Sequence, residues 1–200
     1  MRPIIRCGLW LTVAFAVISC GGVPRTNYFT IEMPRATKGA PAPIERRIAV
    51  QRFSADQILV DDRILYRESP NEVSFYEYKR WADPPVDIVT NYFVHRMKDS
   101  GDYRDVSPAK TAGAADLTLR GRLYHFEELD RGKEVFASVA VELELTDNKT
   151  RASVWRGNAE CTRPVPTRDM GGVVTGISEC LDETASKLLG SMRQEIGKSN

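Results

Sequence analysis

The chain has 200 residues, a formal net charge of +1, and is 42% hydrophobic and 28% charged, a balance suited to one globular domain with a buried core. No basic footprint for nucleic acid and no single-sign charge block for an electrostatic membrane patch is present. With two histidines and four cysteines, the residue types that most often carry metal or nucleophilic chemistry are scarce.

Arg2 and Arg6 precede an apolar run from Cys7 to Ile18, which is the layout of a secretory signal. The run is about a dozen residues, too short in helical form for the roughly 30 Å hydrocarbon core of a bilayer. Val17-Ile18-Ser19-Cys20 sets a small residue directly before a cysteine and an aliphatic one three positions upstream of it, and so resembles a lipobox. Residues 1–19 are therefore expected to leave as a lipoprotein signal peptide, and Cys20 to be acylated. An ordinary cleaved signal with an incidental Cys20 is the alternative. Losing Arg2 and Arg6 lowers Lys plus Arg from 28 to 26 against 27 acidic residues, a net charge near −1, so membrane attachment rests on the lipid.

Residues 20–45 carry Pro24, Pro34, Pro41, Pro43 and Gly39, and read as a lipidated N-terminus and flexible tether broken by one short strand at Tyr28-Phe29-Thr30-Ile31. A single α+β domain is expected over 46–197. Its first strand is Arg47–Phe53, followed by a hairpin of Ile64–Arg67 and Val73–Tyr78 turned at Ser69-Pro70-Asn71. Asp83-Pro84-Pro85 then opens a helix, with Asp83 as the expected cap and Val86, Val89, Phe93 and Met97 as its core-facing stripe, ending at Ser100-Gly101.

The strongest β pattern follows. Leu117, Leu119 and Leu123 share one strand face, and Val135, Ala137, Val139, Val141, Leu143 and Leu145 share one face of the next. Asp130–Lys133 joins them, and Asp147-Asn148-Lys149 turns into a third strand around Ser153–Arg156, making an antiparallel meander. A last helix is expected from about Asp169 to Ile196, with Val173, Ile177, Leu181, Leu188, Met192 and Ile196 on one side. The fold class is thus α+β, a mostly antiparallel sheet with two helices packed on one face.

Catalytic constellations are not found. His95 and His125 stand thirty residues apart with no HxxxH or HExxH spacing, and read as a helix-surface residue and a strand residue. Gly171–Gly176 lacks both the GxGxxG spacing and the GK[ST] ending of a phosphate loop, and reads as a loose helix start. No GxSxG elbow occurs, and the neighbouring carboxylates Glu127-Glu128 and Asp61-Asp62 are expected to be solvated. No cofactor or metal ion is implied. Cys161 and Cys180 remain as a pair in an oxidising compartment, either bridged or as two free buried thiols. Their nineteen-residue separation is unlike the tight Cys-x-x-Cys turn of redox pairs.

Aromatic residues concentrate at Tyr66, Phe75, Tyr76, Tyr78 and Trp81, followed by Pro84-Pro85. Tyr76, Tyr78, Trp81, Pro84 and Pro85 are the candidate partner-binding residues, since Tyr and Trp give large contact area with few rotatable bonds. The competing reading places all of them in the core or its rim.

In order, the lipobox, Tyr28-Phe29-Thr30-Ile31, Ile64-Leu65-Tyr66-Arg67, Tyr76-Glu77-Tyr78, Arg80-Trp81-Ala82-Asp83-Pro84-Pro85 and Leu119-Arg120-Gly121-Arg122-Leu123 resemble the ABC-type transport auxiliary lipoprotein family, the PqiC-like proteins. The resemblance spans nearly the whole mature chain. It implies a non-catalytic periplasmic partner of an MCE-type system, in which an ABC transporter and MCE-domain proteins move phospholipid or other hydrophobic molecules between the two membranes. It also implies an anchor at the outer membrane through Cys20, in keeping with Gly21 rather than Asp after the cysteine. A homo-oligomer is compatible with this role. Two other readings stand beside it, a lipoprotein that itself carries lipid in an internal cavity and an envelope enzyme. An apolar cavity would mark the carrier, an exposed patch the docking subunit.

Overall fold

A computed structural model of the chain describes residues 24–33 and 43–198; the expected signal peptide and Cys20 lie outside them. The elements in order are β1 (Asn27–Phe29), β2 (Ile44–Val50), β3 (Ser54–Ala55), a 3-10 turn (Gln57–Leu59), β4 (Arg63–Ser69), β5 (Glu72–Trp81), α1 (Pro85–Ser100), β6 (Tyr103–Pro108), β7 (Leu117–Arg131), β8 (Glu134–Asp147), β9 (Ser153–Pro164) and α2 (Met170–Lys198).

The alternating apolar residues of β7 make it the hub of the sheet, because they are buried along its length from Leu117 through Leu119 and Leu123 to Phe126. On one side β7 pairs antiparallel with β8, and β8 with β9, as the meander pattern predicts. On its other side three strands follow one another, all parallel: β2 opposite Leu117–Leu119, β3 opposite Arg122 and Leu123, and β4 opposite Glu128 and Leu129. Outside these, β6 lies parallel on β2, β5 antiparallel on β4, and β1 parallel on the last three residues of β5. The long ladders are antiparallel, so the sheet is mostly antiparallel with short parallel additions.

Both helices cover one face. The stripe Val86, Val89, Phe93 and Met97 of α1 is buried, and Phe93 meets Phe53 with ring centroids 5.4 Å apart. The start of this helix departs from the sequence expectation: Asp83 is exposed and caps nothing, and the helix begins after Pro84 with buried Pro85 in the first turn. No amide there needs a side-chain partner at the proline, which has no N–H to satisfy. The helix ends at Gly101, whose φ of +64° suits glycine and whose amide donates to the Lys98 carbonyl.

For α2 the expected stripe is buried, and Asp169 accepts a hydrogen bond from the Gly172 amide at 2.8 Å, which holds the helix start. Gly171–Gly176 therefore forms the first turns of a helix rather than a loop. Gly176 lets the helix close on the sheet, since a Cβ there would lie 2.9 Å from that of Ala137. A disulfide joins Cys161 of β9 to Cys180 of α2, with Cα atoms 5.2 Å apart.

Three further differences from the sequence reading have local causes. Strand β2 starts at Ile44, inside the segment read as tether, because Ile44 is buried and its amide donates to the Asp102 carbonyl. Strand β9 runs on from Arg156 to Pro164, with Trp155, Ala159 and Cys161 facing α2. A bulge between Leu123 and His125 shifts the register of β7, so its inward side passes from Leu123 to Phe126 and Glu128.

Candidate partner-binding edge

The β4–β5 hairpin places the candidate aromatics, and its pairing decides what each can do. Tyr66 lies opposite Glu128 of β7 and Ser74 of β5, so Tyr66, Tyr76 and Glu128 share the helix side of the sheet. The Tyr66 and Tyr76 rings are 4.9 Å apart, the Tyr76 hydroxyl donates to the Glu128 carboxylate at 2.8 Å, and the Lys79 ammonium sits 4.6 Å from the Tyr76 ring. Burial, with the Glu128 carboxylate beside it, raises the Tyr76 phenol well above its ordinary range. Burial likewise raises the Glu128 carboxyl, and the Tyr76 hydrogen bond acts against that rise. Tyr76 is thus a half-buried, bonded residue that fixes the hairpin to β7.

Trp81 is fully buried and packs on Phe126 with ring centroids 5.1 Å apart. Its position in the core corrects the expectation that it could supply contact surface, and buried Pro85 is corrected in the same way. Both sit where β5 turns inward to enter α1. Pro84 stays half-exposed. Tyr78, 36% exposed, is the aromatic of the set that faces solvent. Sequence reasoning did not place Tyr28 beside it. Tyr28 is 65% exposed and pairs opposite Arg80, two residues from Tyr78, a proximity that only the parallel β1–β5 ladder creates. Beyond Lys79 the outer edge of β5 pairs with nothing among the described residues, leaving backbone groups of Glu72–Tyr78 open.

Glu127 and Glu128 overturn the expectation of solvated neighbours: they are 2% and 4% exposed, Glu128 on the helix side of the sheet and Glu127 on its far face. The bulge sends Glu128 inward, while Glu127 is covered by Arg67 and His125. Arg67 forms a two-pronged pair with Glu127 at 3.1 Å and His125 Nδ1 lies 3.0 Å from the same carboxylate. Burial opposes ionisation of Glu127, but His125 and Arg67 outweigh it and hold the carboxyl below the ordinary glutamate range. The hydrogen bond to Glu127 in turn raises His125. His95 is exposed on α1. Among the described residues, no group of three His, Cys, Asp or Glu side chains is placed to hold a metal ion.

A groove of about 750 Å³ runs between the segment after β1 and the two helices, lined by Glu32, Tyr92, Arg163, Glu179, Asp182 and Glu183 among others. Its charged lining and open form are unlike the apolar enclosure that an internal lipid requires. No helix among the described residues is long and apolar enough to cross a membrane.

The model of one protein family, described as an ABC-type transport auxiliary lipoprotein component, matches residues 29–188. Among solved structures, a Xanthomonas campestris protein of the DUF330 family is similar at 21% identity and a TM-score of 0.76, over 86% of this chain and 98% of that one. A second, uncharacterized protein is similar at 13% identity and a TM-score of 0.66, over 84% and 99%. At these identities the likeness is one of fold. Comparison with curated proteins finds no match.

Proposed function

Because the chain belongs to the family of ABC-type transport auxiliary lipoprotein components, we propose that it is a non-catalytic periplasmic lipoprotein, held to the outer membrane through Cys20, that serves an MCE/ABC-type system moving phospholipid or other hydrophobic molecules across the envelope. The family match over residues 29–188 carries this reading. The lipobox at Val17–Cys20 and Gly21 after it support the anchor and its membrane. An exposed aromatic edge at Tyr78 and Tyr28, beside the open side of β5, is the surface offered to the MCE partner. Tyr76, Trp81 and Pro85 act behind it by holding the hairpin and the start of α1 in place, and Pro84 borders it.

Capture of the MCE-domain protein, measured together with melting temperature, tests the assignment. Tyr78→Ala is expected to weaken capture by roughly thirty-fold, the equivalent of a hot spot of about 2 kcal/mol, with melting unchanged. Tyr28→Ala should act in the same direction. Trp81→Ala instead removes a filled core position and should lower stability by about 3–5 kcal/mol. Undiminished capture by both folded tyrosine variants would move the contact surface elsewhere.

A further inference from the structure

The face of the sheet that the helices leave uncovered is divided. Toward the Leu117 end it is a lattice of long polar side chains: Arg120 on Gln51, Arg122 on Asp56, Tyr124 on Glu142, and Arg156 on Glu142 and Glu144. Toward the other end, one register line crosses five strands on this face as Val73, Arg67, Leu129, Phe136 and Pro164. Val73, Leu129 and Phe136 are half-exposed and Pro164 exposed, while Arg67 is neutralised by Glu127. This row is apolar, and basic residues border it: the Arg131 guanidinium lies 5.0 Å from the centre of the Phe136 ring, and Lys133 is exposed in the adjoining turn.

The length of chain before β1 says which end is near the anchor. Strand β1 runs parallel to β5 with Asn27 opposite Lys79, so its N-terminal end points toward the β4–β5 turn. Asn27 lies seven positions after Cys20, a stretch that spans at most about 25 Å. Followed through the paired strands, Asn27 is level with about Phe126 of β7. That is roughly 17 Å from the Arg131 end and roughly 30 Å from the Leu117 end at about 3.3 Å per residue. The tether reaches the apolar row and falls short of the polar end.

We propose that the row Val73–Leu129–Phe136–Pro164 rests against the phospholipid surface in which Cys20 is anchored, with Arg131 and Lys133 at the headgroups and the Asp147–Thr150 turn directed away from the membrane. The inference rests on lipidation of Cys20 and goes beyond it in fixing which part of the domain touches lipid. Basic side chains flanking shallow apolar ones suit a headgroup boundary.

The test uses the lipidated full chain in phosphatidylethanolamine–phosphatidylglycerol vesicles containing brominated acyl chains. Tryptophan is placed in the row by Phe136→Trp and, separately, by Val73→Trp. The control is Val154→Trp, at an exposed site near the opposite end; native Trp81 and Trp155 are common to all variants. Bromolipid is expected to quench the added tryptophan at 136 and 73, with a blue shift in emission, and to leave that at 154 unchanged. A Cys20→Ser chain should fail to sediment with the vesicles. If the lipidated chain sediments and neither row position is quenched, the proposal is overturned while the anchor stands, and the row is left for a protein partner. If the Cys20→Ser chain sediments as well as the parent, the anchor itself is refuted and the orientation with it.

Discussion

Gly121 provides a sharp test of how the β7 hub is packed. The Phe53 ring lies flat over its α-carbon, so a Cβ at Gly121 would come 2.6 Å from three ring atoms, about an ångström inside ordinary carbon contact. The ring has little room to yield, since Phe53 is 1% exposed and Phe93 stands behind it at 5.4 Å. Gly121→Ala should therefore cost about 1–3 kcal/mol as an overpacking change, lowering Tm by roughly 2–12 °C for a domain of this size. Phe53→Leu trims the obstructing ring. In a double-mutant cycle the alanine should then cost at least about 1 kcal/mol less than in the parent. Calorimetry on the four proteins measures this. A Gly121→Ala variant that melts with the parent, or a cycle that is simply additive, would refute the account of this contact.

The Cys161–Cys180 bridge closes a loop over a sequence separation of 19 residues, which by the chain-entropy estimate is worth about 3 kcal/mol. Mass measurement of the periplasmic form without reductant should show the loss of two hydrogens, and reduction should lower Tm by roughly 6–12 °C; an unbridged mass or an unmoved Tm contradicts the bridge. The His125–Glu127 pair predicts a pH dependence. Glu127 raises the folded pKa of His125, so its stabilisation is fully present below the unfolded value of about 6.5 and is lost as pH rises through the higher folded value. Because Glu127 is lowered, its own contribution is present above about 4.5 and is lost as pH falls below that. The parent should lose Tm as pH rises above about 6.5, and His125→Gln should flatten that slope; identical slopes would show that the pair contributes nothing.

Strongly periodic segments were legible in the sequence. The helical stripes of α1 and α2 and the alternation along β8 are both visible as patterns, and each predicts the face that is buried. Strand β6 escaped because Tyr103-Arg104-Asp105-Val106-Ser107-Pro108 has its two buried residues three apart, which is no strand period. It is held by its ladder to β2 rather than by its own pattern. The parallel pairings of β1, β2, β3 and β4 join segments distant in sequence, and no local signal encodes them. Glu127 and Glu128 were misread for two reasons: a bulge in β7 turns Glu128 inward, which counting by twos cannot anticipate, and Glu127 is covered by Arg67 and His125, of which Arg67 comes from a strand sixty residues earlier. At the candidate edge, composition pointed to the β4–β5 hairpin. It could not sort exposed Tyr78 from buried Trp81, because the parity of β5 also shifts, between the residues paired with Leu65 and with Arg63.

The central position of β7 also governs the order in which the domain can be completed. Strands β2, β3 and β4 all wait for a partner encoded after them, and a chain is synthesised from its N-terminus. Until residues 117–131 emerge, the early strands have no common template, and only the β4–β5 hairpin can form from contiguous sequence. Closing such distant pairings is slow relative to local ones, and the waiting strands carry open edges and apolar faces in the meantime. Assembly of this sheet is therefore tied to delivery of β7, and a chain truncated before Leu117 would present β2, β3 and β4 to chaperones and proteases without the strand that joins them.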